Sequence, residues 1–332
     1  MSDFATLATV TRNGIVESTH LGDLVVCDVH GHIMSSAGDP GRVCYYRSSG
    51  KPLQALTVVM SGAADQFAFT ETELAICCAS HHGCRAHVLT VAGILEKLGL
   101  DESALLCGVH EPSDPAERNR LIKAGEAPSP LHNNCSGKHA GMLAAALAMG
   151  APVDNYLDLD HPVQRHIAAN LALAIGLSAD EFRFAPDGCG APVLAVPLSA
   201  MATSYARLAN PVNMPPDFAA AAKRVVQAMA TAPEMISAPR AFNSDLLDVG
   251  NGHLVAKGGA EGLMCVGIVD PRGLGLAVKA ADGSFRALPA VTIKALYDLG
   301  ALSDAQMAAL QQHAHPQVTN CHGVVVGEII PA

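Results

Sequence analysis

Tryptophan is absent from this chain, and only 4% of its residues are aromatic, although half are hydrophobic. Its core must therefore be packed from small aliphatic side chains. Ala-rich stretches such as Ala144–Leu147 and Ala219–Ala222 point to closely apposed helices. Positive charge is also scarce: 21 Lys and Arg stand against 31 Asp and Glu, a net charge of −10 at pH 7. With no basic cluster, that balance argues against nucleic acid and anionic membrane surfaces as partners. No stretch offers about 18 uninterrupted apolar residues, so none is expected to span a bilayer. The start, Met1-Ser2-Asp3-Phe4-Ala5-Thr6, lacks a charged segment leading into an apolar run, so no secretory signal is expected. Ten Cys in such a chain read as reduced thiols rather than a disulfide framework. Cys27, Cys44, Cys107 and Cys265 sit in apolar runs, where Cys behaves as a small buried hydrophobe. Together these absences point to a cytoplasmic protein.

What is present reads as α+β. Leu24–Val29 and the segment after His30-Gly31 form a hairpin pattern near the N-terminus. Helical patterns follow at Pro52–Met60, Thr72–Cys78 and Arg85–Leu98, the last ended by Gly99. Ser136–Met149, His161–Ile175 and Pro216–Ala230 continue the helical middle, with two late helices near Leu288–Leu299 and Ser303–His313. Strand-like runs lie at His253–Ala256, Leu263–Val269, Leu274–Ala280 and Val324–Ile330, with a turn at Asp270-Pro271-Arg272-Gly273. The expected architecture is a single domain over 1–332. A helical region, roughly 52–231, packs on a mostly antiparallel sheet from about 8–46 and 250–330. Ala185–Pro197 and Val153–Leu159 are the only plausible seams, and both are short.

The chemistry concentrates in a few segments. Arg47-Ser48-Ser49-Gly50-Lys51-Pro52-Leu53-Gln54-Ala55 puts a hydroxyl and an amine three residues apart at a helix start, on one face of the turn. A serine hydroxyl needs a base, and a lysine serves only when burial or a neighbouring cation keeps it neutral. With 19 Ser and 8 Lys in the chain, about half a match at this spacing arises by chance, so the spacing alone proves little. Pro52 disfavours helical geometry at Lys51 and cannot donate to the carbonyl of Ser48, so an irregular first turn is expected.

A second segment, His132-Asn133-Asn134-Cys135-Ser136-Gly137-Lys138-His139-Ala140-Gly141, aligns Cys135, Lys138 and His139 on one helical face. The helix N-terminus and the neighbouring cation favour a thiolate there. Asp187-Gly188-Cys189-Gly190 supplies another thiol in a turn beside a carboxylate. Two Cys and nitrogen ligands suit zinc with an open position, and on residue chemistry alone Cys135, His139 and Cys189 are the natural set. The alternative is two unconnected thiols and a capped helix. In Cys77-Cys78-Ala79-Ser80-His81-His82-Gly83 the adjacent pairs point apart, leaving Ser80 at a helix-to-loop junction as the group of interest. Lys257-Gly258-Gly259-Ala260-Glu261-Gly262 sets a Lys before a flexible loop; taken alone it is a turn with a surface Lys.

Taken together and in order, these five segments resemble the rhizobial-type, class 3 ("asparaginase II") L-asparaginases, from about residue 8 to the C-terminus. The resemblance implies a serine β-lactamase/glutaminase-like fold, a homodimer, and hydrolysis of L-asparagine to aspartate and ammonia. It further implies two Ser–Lys pairs, Ser48 with Lys51 and Ser80 with Lys257. Arg47, His139 and Asp187 are expected near substrate. Zinc is expected on Cys135, Lys138 and Cys189, which replaces the imidazole of the residue-based choice with a lysine. A lysine ligand must be neutral, so bound metal would itself depress its pKa.

Three alternatives stand beside this reading. A glutaminase or penicillin-recognising acyl hydrolase uses the same Ser–Lys chemistry but needs no thiol pair. A silent metabolite-binding protein would be stabilised by asparagine without consuming it. A hydrolase in which metal-bound water attacks would tolerate Ser48→Ala.

Overall fold

The structure, a computed structural model, describes residues 4–332, and the chain separates into two compact units. The sheet unit comprises the chain up to Ser49, Val196–Asn210 and Asp245–Ala332. Seven of the eight strands of its large sheet run in the order Gln317–Thr319, Val325–Pro331, Ala5–Arg12, Ile15–Asp28, Leu274–Ala280, Leu263–Ile268 and Leu254–Gly259. The eighth, Ile33–Ala37, pairs with Ile15–Asp28, and every pairing is antiparallel. The two chain ends therefore meet in one sheet, with Val10 opposite Ile329.

Every residue of Leu254–Gly259 and Leu263–Ile268 is buried, which requires cover on both faces of the sheet. Helix Leu198–Ala209 packs on both of these strands, and helix Leu288–Asp298 on Leu263–Ile268 and Leu274–Ala280. The approach is close enough that a Cβ on Gly275 would stand 1.9 Å from the Ala202 carbonyl oxygen. Only glycine fits there.

The helical unit comprises Gly50–Ala195 and Pro211–Ser244. Its central helix, Ser136–Ala148, is buried from Ser136 to Ala146, which is why it is built from Ala, Gly and Leu. Helix Lys51–Met60 packs on it and on Pro162–Ile175 and Pro216–Thr231. Local signals set several ends. Thr70 and Glu73 form a reciprocal capping box, and Gly99 closes its helix at φ +67°.

Several elements were not among those expected from sequence, including the first strand and one helix of the sheet unit. Strand Ala5–Arg12 is joined to the next by Asn13-Gly14, both at positive φ as a tight hairpin turn demands. Helix Leu198–Ala209, within the span expected to be helical middle, instead covers the sheet; its small residues suit that contact more than they signal it. One passage between units, at Ala195–Val196, falls inside the expected seam Ala185–Pro197. Among the described residues no helix is long and apolar enough to cross a membrane.

Candidate active site

In the sheet unit the site begins at a short 3-10 turn, Arg47–Gly50, from which the helix starts at Lys51 with Pro52 in its first turn. The irregular entry follows from the missing N–H of Pro52. Arg47 sits at φ +47°, a conformation few non-glycine residues adopt, immediately before half-buried Ser48. Backbone contacts hold this turn. The N–H and Oγ of Ser49 donate to the Tyr46 carbonyl (3.1 and 2.6 Å), and Tyr205 OH donates to the Ser49 carbonyl (2.6 Å). Tyr46 OH lies 2.7 Å from Ser204 Oγ, which donates to the Met201 carbonyl.

Strand Leu254–Gly259, which carries buried Lys257, runs directly against the turn. A Cβ on Gly259 would stand 2.8 Å from the Tyr46 carbonyl oxygen and 3.3 Å from the Ser49 nitrogen. Lys257 Nζ donates to the Gly258 carbonyl at 2.8 Å. The Ser48 turn and the Lys257 strand therefore belong to one unit. Arg47 also approaches exposed Glu261 at 4.0 Å, an ion pair that contributes little.

In the helical unit Lys51 is buried, and its amine faces the Ala79 carbonyl (2.6 Å), Ser80 Oγ (2.9 Å) and the Asn134 carbonyl (3.3 Å). The serine that Lys51 meets in this unit is thus Ser80, 29 positions along the chain. Ser80 is fixed by its N–H to the Ile236 carbonyl. Beside it, His81 Nδ1 accepts from Gly83 N–H, and His81 Nε2 lies 2.8 Å from Ser136 Oγ at the start of the central helix. Burial holds His81 neutral, its pKa well below the usual imidazole range.

Cys135 is the N-cap of the central helix, its N–H bonded to Asn133 Oδ1 at 2.8 Å. Lys138, one turn on, donates to Cys189 Sγ at 3.0 Å, and all three side chains are buried. The hydrogen bond from the Cys189 thiol holds Cys135 well below the ordinary thiol pKa; the charges of Lys51 and Lys138 add to this against the opposing effect of burial. Cys189 moves the opposite way, raised by its bond to Cys135 and by burial, so the pair shares one proton with the charge on Cys135. Burial alone would lower Lys138, but the two sulfurs outweigh it and raise its pKa, favouring an ammonium. Cys107, also buried nearby, is pushed up to about 12, chiefly by burial.

Two sulfurs and an amine in one buried cluster form a soft donor set that fits zinc once the lysine and the Cys189 thiol lose their protons. Among the described residues no group of three His, Cys, Asp or Glu could hold a metal ion, so the Cys135–His139–Cys189 choice finds no support. His139 is engaged elsewhere: its Nδ1 lies 2.7 Å from Tyr156 OH. Asp187 caps its own turn through Gly188 N–H (2.8 Å), and its charge reaches Lys138.

The residues that sequence reading missed are Tyr46, Tyr205 and Tyr156, each fully or almost fully buried. Nothing in the local sequence marks them. Asn134, whose carbonyl meets Lys51, lay inside a segment already singled out.

Among solved structures the chain is similar to a β-lactamase from Mycobacterium bovis, at 14% identity over 83% of this chain and 94% of that one, with a TM-score of 0.44. It is also similar to the protein Mglu, at 16% identity over 84% of this chain and 67% of that one, TM-score 0.37. Against Mglu in its tris and glutamate form the match spans only 59% of that chain, TM-score 0.38. At such low scores neither likeness bears on the chemistry. No curated protein matches the sequence. The L-asparaginase II family profile, however, matches residues 8–331, nearly the whole length; the chain belongs to that family and is an amidohydrolase with a small-molecule substrate.

Proposed function

We propose that this protein is an L-asparaginase, hydrolysing the side-chain amide of L-asparagine to L-aspartate and ammonia by Ser–Lys nucleophilic catalysis. The observation that supports this most is the buried Lys51 amine 2.9 Å from Ser80 Oγ, with two carbonyl acceptors beside it. A neutral amine has two N–H bonds and one lone pair. When the carbonyls of Ala79 and Asn134 take the two N–H groups, the lone pair is left for the serine hydroxyl. That arrangement suits a base.

In this reading Ser48 Oγ attacks the amide carbon, and its proton passes to Lys51, three residues on. The C–N bond then breaks, and the nitrogen leaves as ammonia after taking a proton through Lys51 and Ser80. Water cleaves the resulting ester, releasing aspartate and restoring the serine. The same reading gives Lys257 a part in the proton relay. Asp187 receives the substrate ammonium, and Arg47 its carboxylate. Cys135, Lys138 and Cys189 would hold zinc, which supplies positive charge for anchoring the substrate. Assembly as a homodimer belongs to the same reading.

Ammonia release from L-asparagine and L-glutamine at matched concentrations, on protein of known zinc content, tests the proposal. Rapid release from asparagine, little from glutamine and about one zinc per chain are expected. Comparable release from glutamine by zinc-free protein would favour the glutaminase alternative. Near-full turnover by a folded Ser48→Ala variant would remove Ser48 as the nucleophile.

A further inference from the structure

His139 is fully buried, and among the described residues its Nε2 has no hydrogen-bond partner. Its other nitrogen, Nδ1, faces Tyr156 OH at 2.7 Å, with the rings 5.6 Å apart and nearly perpendicular. The phenol oxygen already accepts the Leu106 N–H at 2.8 Å. A backbone N–H can only donate, so the phenol is left with one hydrogen to place. Burial raises the Tyr156 pKa, and that hydrogen stays on. The bare Nδ1 of His139 is the acceptor at hand, and if Nδ1 carried a hydrogen the phenolic O–H would be buried without a partner. The proton of the neutral ring therefore sits on Nε2. The ring follows Lys138 directly along the central helix, within the stretch buried from Ser136 to Ala146.

We propose that Tyr156 is a positioning residue: it locks His139 in the Nε2–H tautomer, so that an uncharged N–H donor is offered to an oxygen of the bound amide substrate. The identity of that oxygen rests on the asparaginase reading; the tautomer does not. A buried N–H left unpaired costs about 1–3 kcal/mol, which bound substrate or water recovers by accepting it. Tyr156 is itself held in place, its carbonyl accepting Gln164 Nε2 at 2.8 Å.

Nitrogen-15 labelling of the histidines in the full chain reads the tautomer directly, with the His139 signal identified by its loss in His139→Gln. Wild-type protein is expected to show Nδ1 bare and Nε2 protonated. In Tyr156→Phe the signal should move toward a mixture of tautomers, and kcat/KM for asparagine should fall roughly 10- to 100-fold. His139→Gln, which keeps an N–H near the Nε2 position, should retain more activity than His139→Leu. A wild-type ring protonated on Nδ1 overturns the proposal. So does a Tyr156→Phe variant that keeps both the wild-type tautomer and wild-type kinetics. If Tyr156→Phe does not fold, the wild-type spectrum and the His139→Gln against His139→Leu comparison decide. Absence of asparagine turnover in the wild type would fall on the function, leaving the spectrum to judge the tautomer.

Discussion

In the helical unit Lys51 is fixed through its side chain, by three oxygens around one buried amine. In the sheet unit Ser48 is fixed through its turn, by Tyr205 and Ser49 bonds to main-chain carbonyls and by the close approach of Gly259. The first arrangement controls where a proton resides; the second controls where an atom stands. Damage to the first should change chemistry with little effect on stability. Damage to the second should alter both together.

The largest effect is expected at Lys51. Lys51→Met removes the amine while filling its space, and kcat should drop by about 10³-fold or more with the protein still folded. Steady-state kinetics beside a circular dichroism melt checks this, and an active variant would break the contrast.

The helical unit also carries buried neutral imidazoles, His81, His87 and His139, each with its pKa lowered by burial. The sign follows from comparing states. Below about pH 6.5 the unfolded chain binds protons that the folded chain refuses. Stability is therefore full above that pH and is lost as pH falls toward 5, by up to about 1.4 kcal/mol per pH unit for each such ring. Urea midpoints at pH 7, 6 and 5 should fall in that order, and His81→Gln should flatten the slope by about one proton. A midpoint constant over this range would contradict the assignment.

In the sheet unit Gly259→Ala forces a Cβ to 2.8 Å from the Tyr46 carbonyl oxygen. It should cost about 1–3 kcal/mol and lower kcat together with Tm, leaving zinc content unchanged. The smallest effect is expected for Tyr205→Phe, which removes the 2.6 Å bond to the Ser49 carbonyl. About 1 kcal/mol of stability and a few-fold of kcat should go with it. A Tyr205→Phe loss as large as that of Lys51→Met would show that position and proton control are not separable here.

Much of this was legible before any coordinates. The turn at Asp270–Gly273 joins Leu263–Ile268 to Leu274–Ala280 as its composition implies. The spacing of Cys135 and Lys138 puts them one turn apart at a helix start, and the structure keeps them there. Strand Ala5–Arg12 escaped although its Asn13-Gly14 turn is a strong local signal; the alternation before it is weak because small residues carry it. Tyr156 could not be found at all. It lies in a loop with no motif, and its role exists only because His139 and Leu106 meet it from elsewhere in the chain.

The sequence alone determined the residue types, their order and their local geometry: a hydroxyl and an amine around one helix start, and a thiol at another. Those depend on neighbours within a few positions, where propensity and sterics act directly. Tertiary structure decided the partners. It put Ser80 on Lys51 across 29 residues, Cys189 on Lys138 across 51, and the Gly259 strand against the Ser48 turn. Such pairings arise from how helices and strands bury their apolar faces, and no spacing along the chain encodes them.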